Sequence, residues 1–205
     1  MTPIYHITHV NNLASIVRDE RLWCDGEMEN RDCITIGYRS LKDRRAGTEV
    51  TVSKYGTLAD YIPFYFAPRS PMLFKISHGA VDFYEGGQDP IVYLVSTIEL
   101  VVKEKLPFCF TDGHAVMALS KQYDDLDHLN RVDWKIMRER YWNDTNEDGD
   151  RKRRRMAEFL VHNFFPWSLI GEIGVFDSKR KQKVEKLIGS DKHKPVVTIH
   201  RDWYY

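Results

Sequence analysis

At 205 residues the chain is long enough to bury a sizeable core and short for two independent domains, so one domain spanning 1–205 is expected. Lys plus Arg and Asp plus Glu balance at 30 each, which excludes a whole-molecule field steering the protein to nucleic acid or membrane; any such attraction has to come from local clustering. The opening MTPIYHITHV is no secretory leader, no run is apolar enough to span a bilayer, and Cys24, Cys33 and Cys109 share no paired spacing, so a soluble cytoplasmic protein with reduced thiols and neither a disulfide framework nor a zinc site is expected.

Residues 3–8 alternate apolar and polar as a half-buried strand does, and Asn11 then caps a helix with Leu13, Ile16 and Val17 on one face. From 18 to 56 the chain reads as a long polar loop, with a short strand at 33–36 and a basic cluster of Lys42, Arg44 and Arg45. YIPFYF at 61–66 reads as a strand, with Pro63 marking an edge or a start. Pro71 suits the first turn of a helix to about residue 78, and IVYLV at 91–95 is the strongest candidate for a central strand. A strand at 108–110 precedes helical segments at 114–123 and 133–142, then a polar loop at 143–150. Residues 151–163 have helical composition, with Met156, Phe159 and Leu160 on one face and Glu158 projecting elsewhere. Strands at 170–176 and 196–200 bracket a charged helix at 177–188. Strands and helices mixed without regular alternation predict an α+β fold around a partly antiparallel sheet.

No glycine-rich phosphate loop, G-x-S-x-G or H-E-x-x-H motif is present, so the common enzyme signatures lose support. What remains is a set of polar residues near strands, each with an ordinary explanation when taken alone. His6 reads as a satisfied strand histidine, Arg44 and Arg45 as a solvated pair, Glu158 as a surface glutamate, and Lys152 to Arg155 as an exposed helix face. The residues by themselves stop at a soluble α+β domain with an anion-binding face.

Five segments taken in order carry more: YHITHVNNL at 5–13, RRAG at 44–47, DYIPFYFAPRSPML at 60–73, PFCFTDGHA at 107–115 and AEFLV at 157–161. Together they resemble the DarT family of DNA ADP-ribosyltransferases, and the similarity spans nearly the whole chain. The resemblance implies an ADP-ribosyltransferase fold, a split mixed or antiparallel β-sheet flanked by helices, with NAD⁺ in the cleft and no metal. It implies Glu158 as the catalytic carboxylate and Arg45 as the arginine needed for activity. His6, Thr8, Asn12, Leu13 and Gly37 fall on donor-binding positions, with Arg45, Tyr65 and Phe66 beside the dinucleotide. Arg69, Met72, His114 and Arg154 are candidates for contacts to a DNA strand, and the segment 142–155 for a loop covering substrate. The segments FAPRSPML and FTDGHA look like the branch that modifies thymidine at N3; a related branch modifies guanosine, and RNA or protein acceptors or a non-catalytic binding role are the rival readings. A toxin of this kind implies single-stranded DNA as acceptor and a macrodomain antitoxin as partner.

Overall fold

IVYLV becomes a central strand for the reason its composition gives: with apolar side chains at successive positions it needs cover on both faces. The computed structural model describes residues 1–28, 31–189 and 191–205. In it β4 (Ile91–Thr97) is buried at its first six positions and lies between β1 (Pro3–His9), antiparallel from Pro3↔Thr97 to His9↔Ile91, and β9 (Glu172–Val175). β10 (Val196–Ile199) adds to β9 in parallel and completes one half of the sheet. The other half comprises β3 (Tyr61–Tyr65), β7 (Ala157–His162), β5 (Phe108–His114) and the short β6 (Gln122–Tyr123), all antiparallel.

The halves meet between β1 and β3, where Tyr5↔Tyr65 is the one register pair. Pro63 explains the break. The Pro63 carbonyl points at β1, where it meets His6 Nδ1 at 2.8 Å, so the edge that would carry its backbone N–H also faces β1 and carries none. The imidazole takes the place of a ladder bond, and the two half-sheets splay apart around it.

Helices cover the sheet. α1 (Leu13–Arg18) packs on α7 (Ser178–Ile188), which lies over β9 and β10. α2 (Arg39–Ala46) and α3 (Pro71–Ser77, capped by Ser70 accepting from the Leu73 N–H) flank the split. α4 (Ile98–Lys103) follows β4, and α5 (Trp134–Arg138) and α6 (Arg151–Arg155) lie against the far half. A two-stranded sheet of β2 (Arg21–Trp23) and β8 (Phe164–Pro166) closes one end. No helix among the described residues is long and apolar enough to cross a membrane.

Several local expectations change. The helix expected over 151–163 ends after Arg155, because AEFLV is buried on both faces: Ala157, Phe159 and Val161 enter the main core, and Leu160 a second one with Tyr61 and Cys109. An apolar run that must satisfy two faces has no single period, so it is read as easily for a helix as for a central strand. Residues 114–123 form the end of β5, a turn at 115–119 that reverses the chain, and β6. The helix expected at 133–142 shrinks to α5, residues 33–36 lack regular structure, and the long loop holds β2 and α2. Asn11 is not the cap of α1; a 3-10 turn precedes it, capped by His9, whose Nδ1 accepts the Asn11 N–H at 3.1 Å. Cys24 and Cys109 are buried, Cys33 is exposed, and all three are free.

Phe159, fully buried between Phe66 and a stacked Phe108 with ring centres 5.0 Å away, has no neighbour free to refill its place. Phe159→Ala is expected to destabilise the fold by about 3–5 kcal/mol in urea titrations; a loss below about 1 kcal/mol would contradict the packing described.

Candidate active site

Glu158 occupies the second position of β7, opposite Tyr65 of β3, and β5 would supply its backbone partner on the other side. Instead the β5–β7 register shifts between Phe110 and His114, and the side chain of buried Thr111 replaces the ladder, accepting the Glu158 N–H at 3.1 Å and donating to the Gly113 carbonyl at 2.6 Å. Bulges of this sort re-aim side chains. Here the bulge brings the Ala115 N–H to 3.3 Å from Glu158 Oε1. Arg45, from α2, donates through Nη1 to Glu158 Oε2 at 2.7 Å and through Nη2 to the Leu58 carbonyl at 3.2 Å.

Glu158 is therefore not on an exposed helix. It retains 3 % of its surface and Arg45 6 %, so this is an ion pair largely withdrawn from water. A carboxylate withdrawn this far persists only when paired and hydrogen-bonded. Burial works against the Arg45 charge, and Glu158 outweighs it, raising the pKa of the guanidinium above its ordinary value. Burial, with Glu158 adding to it, pushes the Tyr65 hydroxyl far above its usual range and keeps it neutral. His114 is held below 6.5, chiefly by burial and despite Glu158. His6 is lowered too, again by burial first, with the bond to Pro63 opposing. Since a carbonyl only accepts, the neutral His6 ring carries its proton on Nδ1 and leaves Nε2 bare.

The splayed half-sheets enclose a cleft of about 240 Å³, bordered by His6 and Thr8 of β1, Asn12, Gly37, Arg45, Tyr65 and Glu158. Asn12 organises the near rim: its Nδ2 donates to Thr8 Oγ1 at 3.1 Å and to the Ile34 carbonyl at 3.0 Å, and its Oδ1 accepts the Ile34 N–H at 2.8 Å. That pairing holds the segment ending in Gly37 against the cleft. Leu13 and Phe66, expected beside the dinucleotide, are corrected to core: Leu13 is fully buried, and Phe66 packs edge-on against Phe110, Trp134 and Phe159. At the far end, Asp19 accepts from Trp23 Nε1 at 3.2 Å and Arg31 Nη1 at 3.0 Å, while the Arg31 guanidinium lies 4.5 Å from the Trp23 ring centre. None of these three was singled out from sequence.

A second groove of about 710 Å³ adjoins the cleft, and Tyr38, Leu41, Met72 and His114 border both. Met72 and His114 thus stand where the two meet. Arg69 and Arg154, expected with them, are elsewhere: Arg69 donates to the Tyr204 carbonyl and lies over the Tyr205 ring, and Arg154 pairs with Asp133 at 3.0 Å and Asp148 at 2.6 Å. Apart from exposed Lys152, the basic run does not form an exposed face. Arg151, Arg153 and Arg154 each hold a carboxylate, and buried Arg155 donates to the carbonyls of Ile136, Met137 and Pro68. These bonds pin the expected covering loop as a wall of the second groove. The cations facing that groove without an ion pair among the described residues are Arg44, Lys75 and Lys152. No cluster of His, Cys, Asp or Glu able to hold a metal occurs among the described residues.

This geometry has counterparts. A family model described as "ssDNA thymidine ADP-ribosyltransferase, DarT" matches residues 5–205. A DNA ADP-ribosyl transferase of Thermus sp. (strain 2.9) is 41% identical over 206 residues, covering 100% of this chain and 96% of the relative. Thermus sp. 2.9 DarT has been solved in complex with ADP-ribosylated ssDNA and with NAD⁺; these superpose with TM-scores of 0.94 and 0.87 at 40% and 39% identity, each covering 100% of this chain and 96% and 98% of the other. A DNA ADP-ribosyl transferase-DNA ADP-ribosyl glycohydrolase fusion protein of Thermosipho africanus is 25% identical over 95% of this chain and 47% of its own length. The α+β reading and the flanked, mostly antiparallel sheet agree with these structures.

Two outcomes test the electrostatics. Arg45→Met leaves a buried carboxylate unpaired and is expected to cost about 3–5 kcal/mol in urea unfolding, but much less in a Glu158→Gln background; equal costs in both would show that the pair is not coupled. His6 and His114, like His9 and His162, are lowered in the folded state, so the unfolded chain binds more protons just below pH 6.5. Stability from these histidines is complete above about pH 6.5 and lost as pH falls below it, so the melting temperature at pH 5.5 should lie under that at pH 7.5. A melting temperature that rises over the same interval would contradict those assignments.

Proposed function

Because the chain belongs to the DarT family, we propose that it transfers ADP-ribose from NAD⁺ to N3 of a thymine in single-stranded DNA. In this reading one transferase domain spanning 1–205 acts in the cytoplasm as a toxin, reversed by a macrodomain glycohydrolase antitoxin. The observation that carries the chemistry is a single water-poor carboxylate, Glu158, facing the cleft where it adjoins a groove able to take a strand.

The reaction breaks the bond between nicotinamide nitrogen and the ribose anomeric carbon and forms one from thymine N3 to that carbon; the N3 proton leaves to a base and nicotinamide departs neutral. As the first bond stretches, positive charge grows on the ribose, and a carboxylate hydrogen-bonded to the 2′-hydroxyl stabilises it more in the transition state than before it. Glu158 serves there and also takes the N3 proton. Arg45, bonded at 2.7 Å to one carboxylate oxygen, fixes its direction, and its charge stabilises the thymine anion. His6, Thr8, Asn12, Gly37 and Tyr65 border the donor, and Met72 and His114 the incoming base. The N3 edge is exposed only when the base is unpaired, which is why a single strand suits the site. The Thermosipho fusion, which joins such a transferase to a glycohydrolase, supports the reversal partner, and modification of a pairing edge accounts for toxicity.

The test is mass spectrometry of single-stranded oligonucleotides, each with one thymine, one guanine or neither, incubated with NAD⁺. One ADP-ribose is expected on thymine-containing strands, with RNA and bulk protein unmodified. Glu158→Gln should lower labelling by about 10²–10⁴-fold while the protein stays folded. Labelling of guanine alone would move the acceptor, and full activity of Glu158→Gln would remove that carboxylate from the mechanism.

A further inference from the structure

Gly113 has an ordinary backbone conformation, so its lack of a side chain has another cause: a Cβ there would lie 2.1 Å from Arg153 Nη1 and 2.8 Å from its Cζ. The guanidinium is laid directly on the main chain at the end of β5, where the chain enters the turn toward β6. From that position Nη1 donates to Asp112 Oδ1 at 3.2 Å and to Ser120 Oγ at 3.1 Å, the two ends of the turn. Nε and Nη2 grip Asp150 at 2.7 Å each, which anchors the arginine to the start of α6. Asp112 also accepts the Lys121 N–H at 2.9 Å, so the turn is closed at its neck and clamped across its span by one side chain that is 13% exposed.

What the clamp holds is part of the site. The turn carries His114, which stands between cleft and groove, and Ala115, whose N–H meets Glu158 Oε1. Arg153 itself borders the second groove and has no place in the cleft. We propose that Arg153 is a positioning residue for the acceptor step: by clamping the 112–120 turn through Gly113, it sets where His114 and the Ala115 N–H stand relative to Glu158 while leaving donor binding to other elements. This rests on the transferase reading above. Displacement of reacting groups by about 1 Å is enough to cost on the order of 10²-fold in rate.

The experiment uses the whole protein and three variants, Arg153→Ala, Arg153→Lys and Gly113→Ala, with NAD⁺ and a thymine-containing oligonucleotide. Measured together are kcat for DNA labelling, KM for NAD⁺, and melting temperature. Arg153→Ala and Gly113→Ala, which reach the same clamp from opposite sides, should lower kcat for labelling by on the order of 10²-fold with KM for NAD⁺ within about twofold of the parent. Arg153→Lys keeps a cation among Asp112 and Asp150 but cannot bridge both, so it should recover melting temperature without recovering labelling. The proposal is overturned if kcat is unaffected, if KM for NAD⁺ rises in step with the loss, or if Arg153→Lys restores labelling together with stability. Parent protein that labels no DNA would overturn the functional reading itself, and this inference with it.

Discussion

A carboxylate with 3 % of its surface exposed is the constraint around which the rest of the structure is arranged. Withdrawing one ion from water costs several kcal/mol, and the cost is offset only where donors are already in place. Glu158 gets two, from parts of the chain far apart in sequence: a guanidinium from α2 and a main-chain N–H from the turn after β5. Its own N–H is met by Thr111, across a register shift that ordinary pairing would forbid. Each partner is itself held, Arg45 by the Leu58 carbonyl and the turn by Arg153. The site is preorganised in the literal sense that its charge is oriented before any substrate enters.

The opening beside this carboxylate comes from one residue type. Proline in an interior strand removes a donor, and at Pro63 the donor removed is one that would have joined β3 to β1. The His6 imidazole spans the gap at one point, satisfying the stranded carbonyl, and the residue also lines the cleft. Structure and chemistry share the residue.

How much of this was legible follows from where the information lies. Strands with a one-sided or continuous apolar pattern, β1, β3, β4, β9 and β10, were readable, and so were α3 and α7, which carry their own caps at Ser70 and Asp177. β7 was not, because four of its five buried positions serve two cores, the fifth being Glu158, and they spell no single period. Arg45 was named through the family resemblance but assigned to a loop, since α2 is short and polar. The bulge at 111–113 and the closure of Arg153 on Gly113 depend on pairs 47 and 41 positions apart, which local reading does not reach. Leu13 and Phe66 illustrate the converse error: they neighbour site residues in sequence, and alternation or helical turn sends their side chains to the core.

The arginine run shows how a chain of zero net charge still offers a polyanion a place to bind. Four successive basic residues suggest a phosphate-binding face, yet Arg153 and Arg154 are matched by Asp112, Asp133, Asp148 and Asp150, and Arg155 by three carbonyls. The acids neutralise the arginines that build the wall. Arg44, Lys75 and Lys152 have no ion pair among the described residues and border the groove beside the cleft. These three put positive charge on the groove beside the cleft without giving the chain a net charge, which is how local clustering can attract an anion where the whole-molecule field cannot.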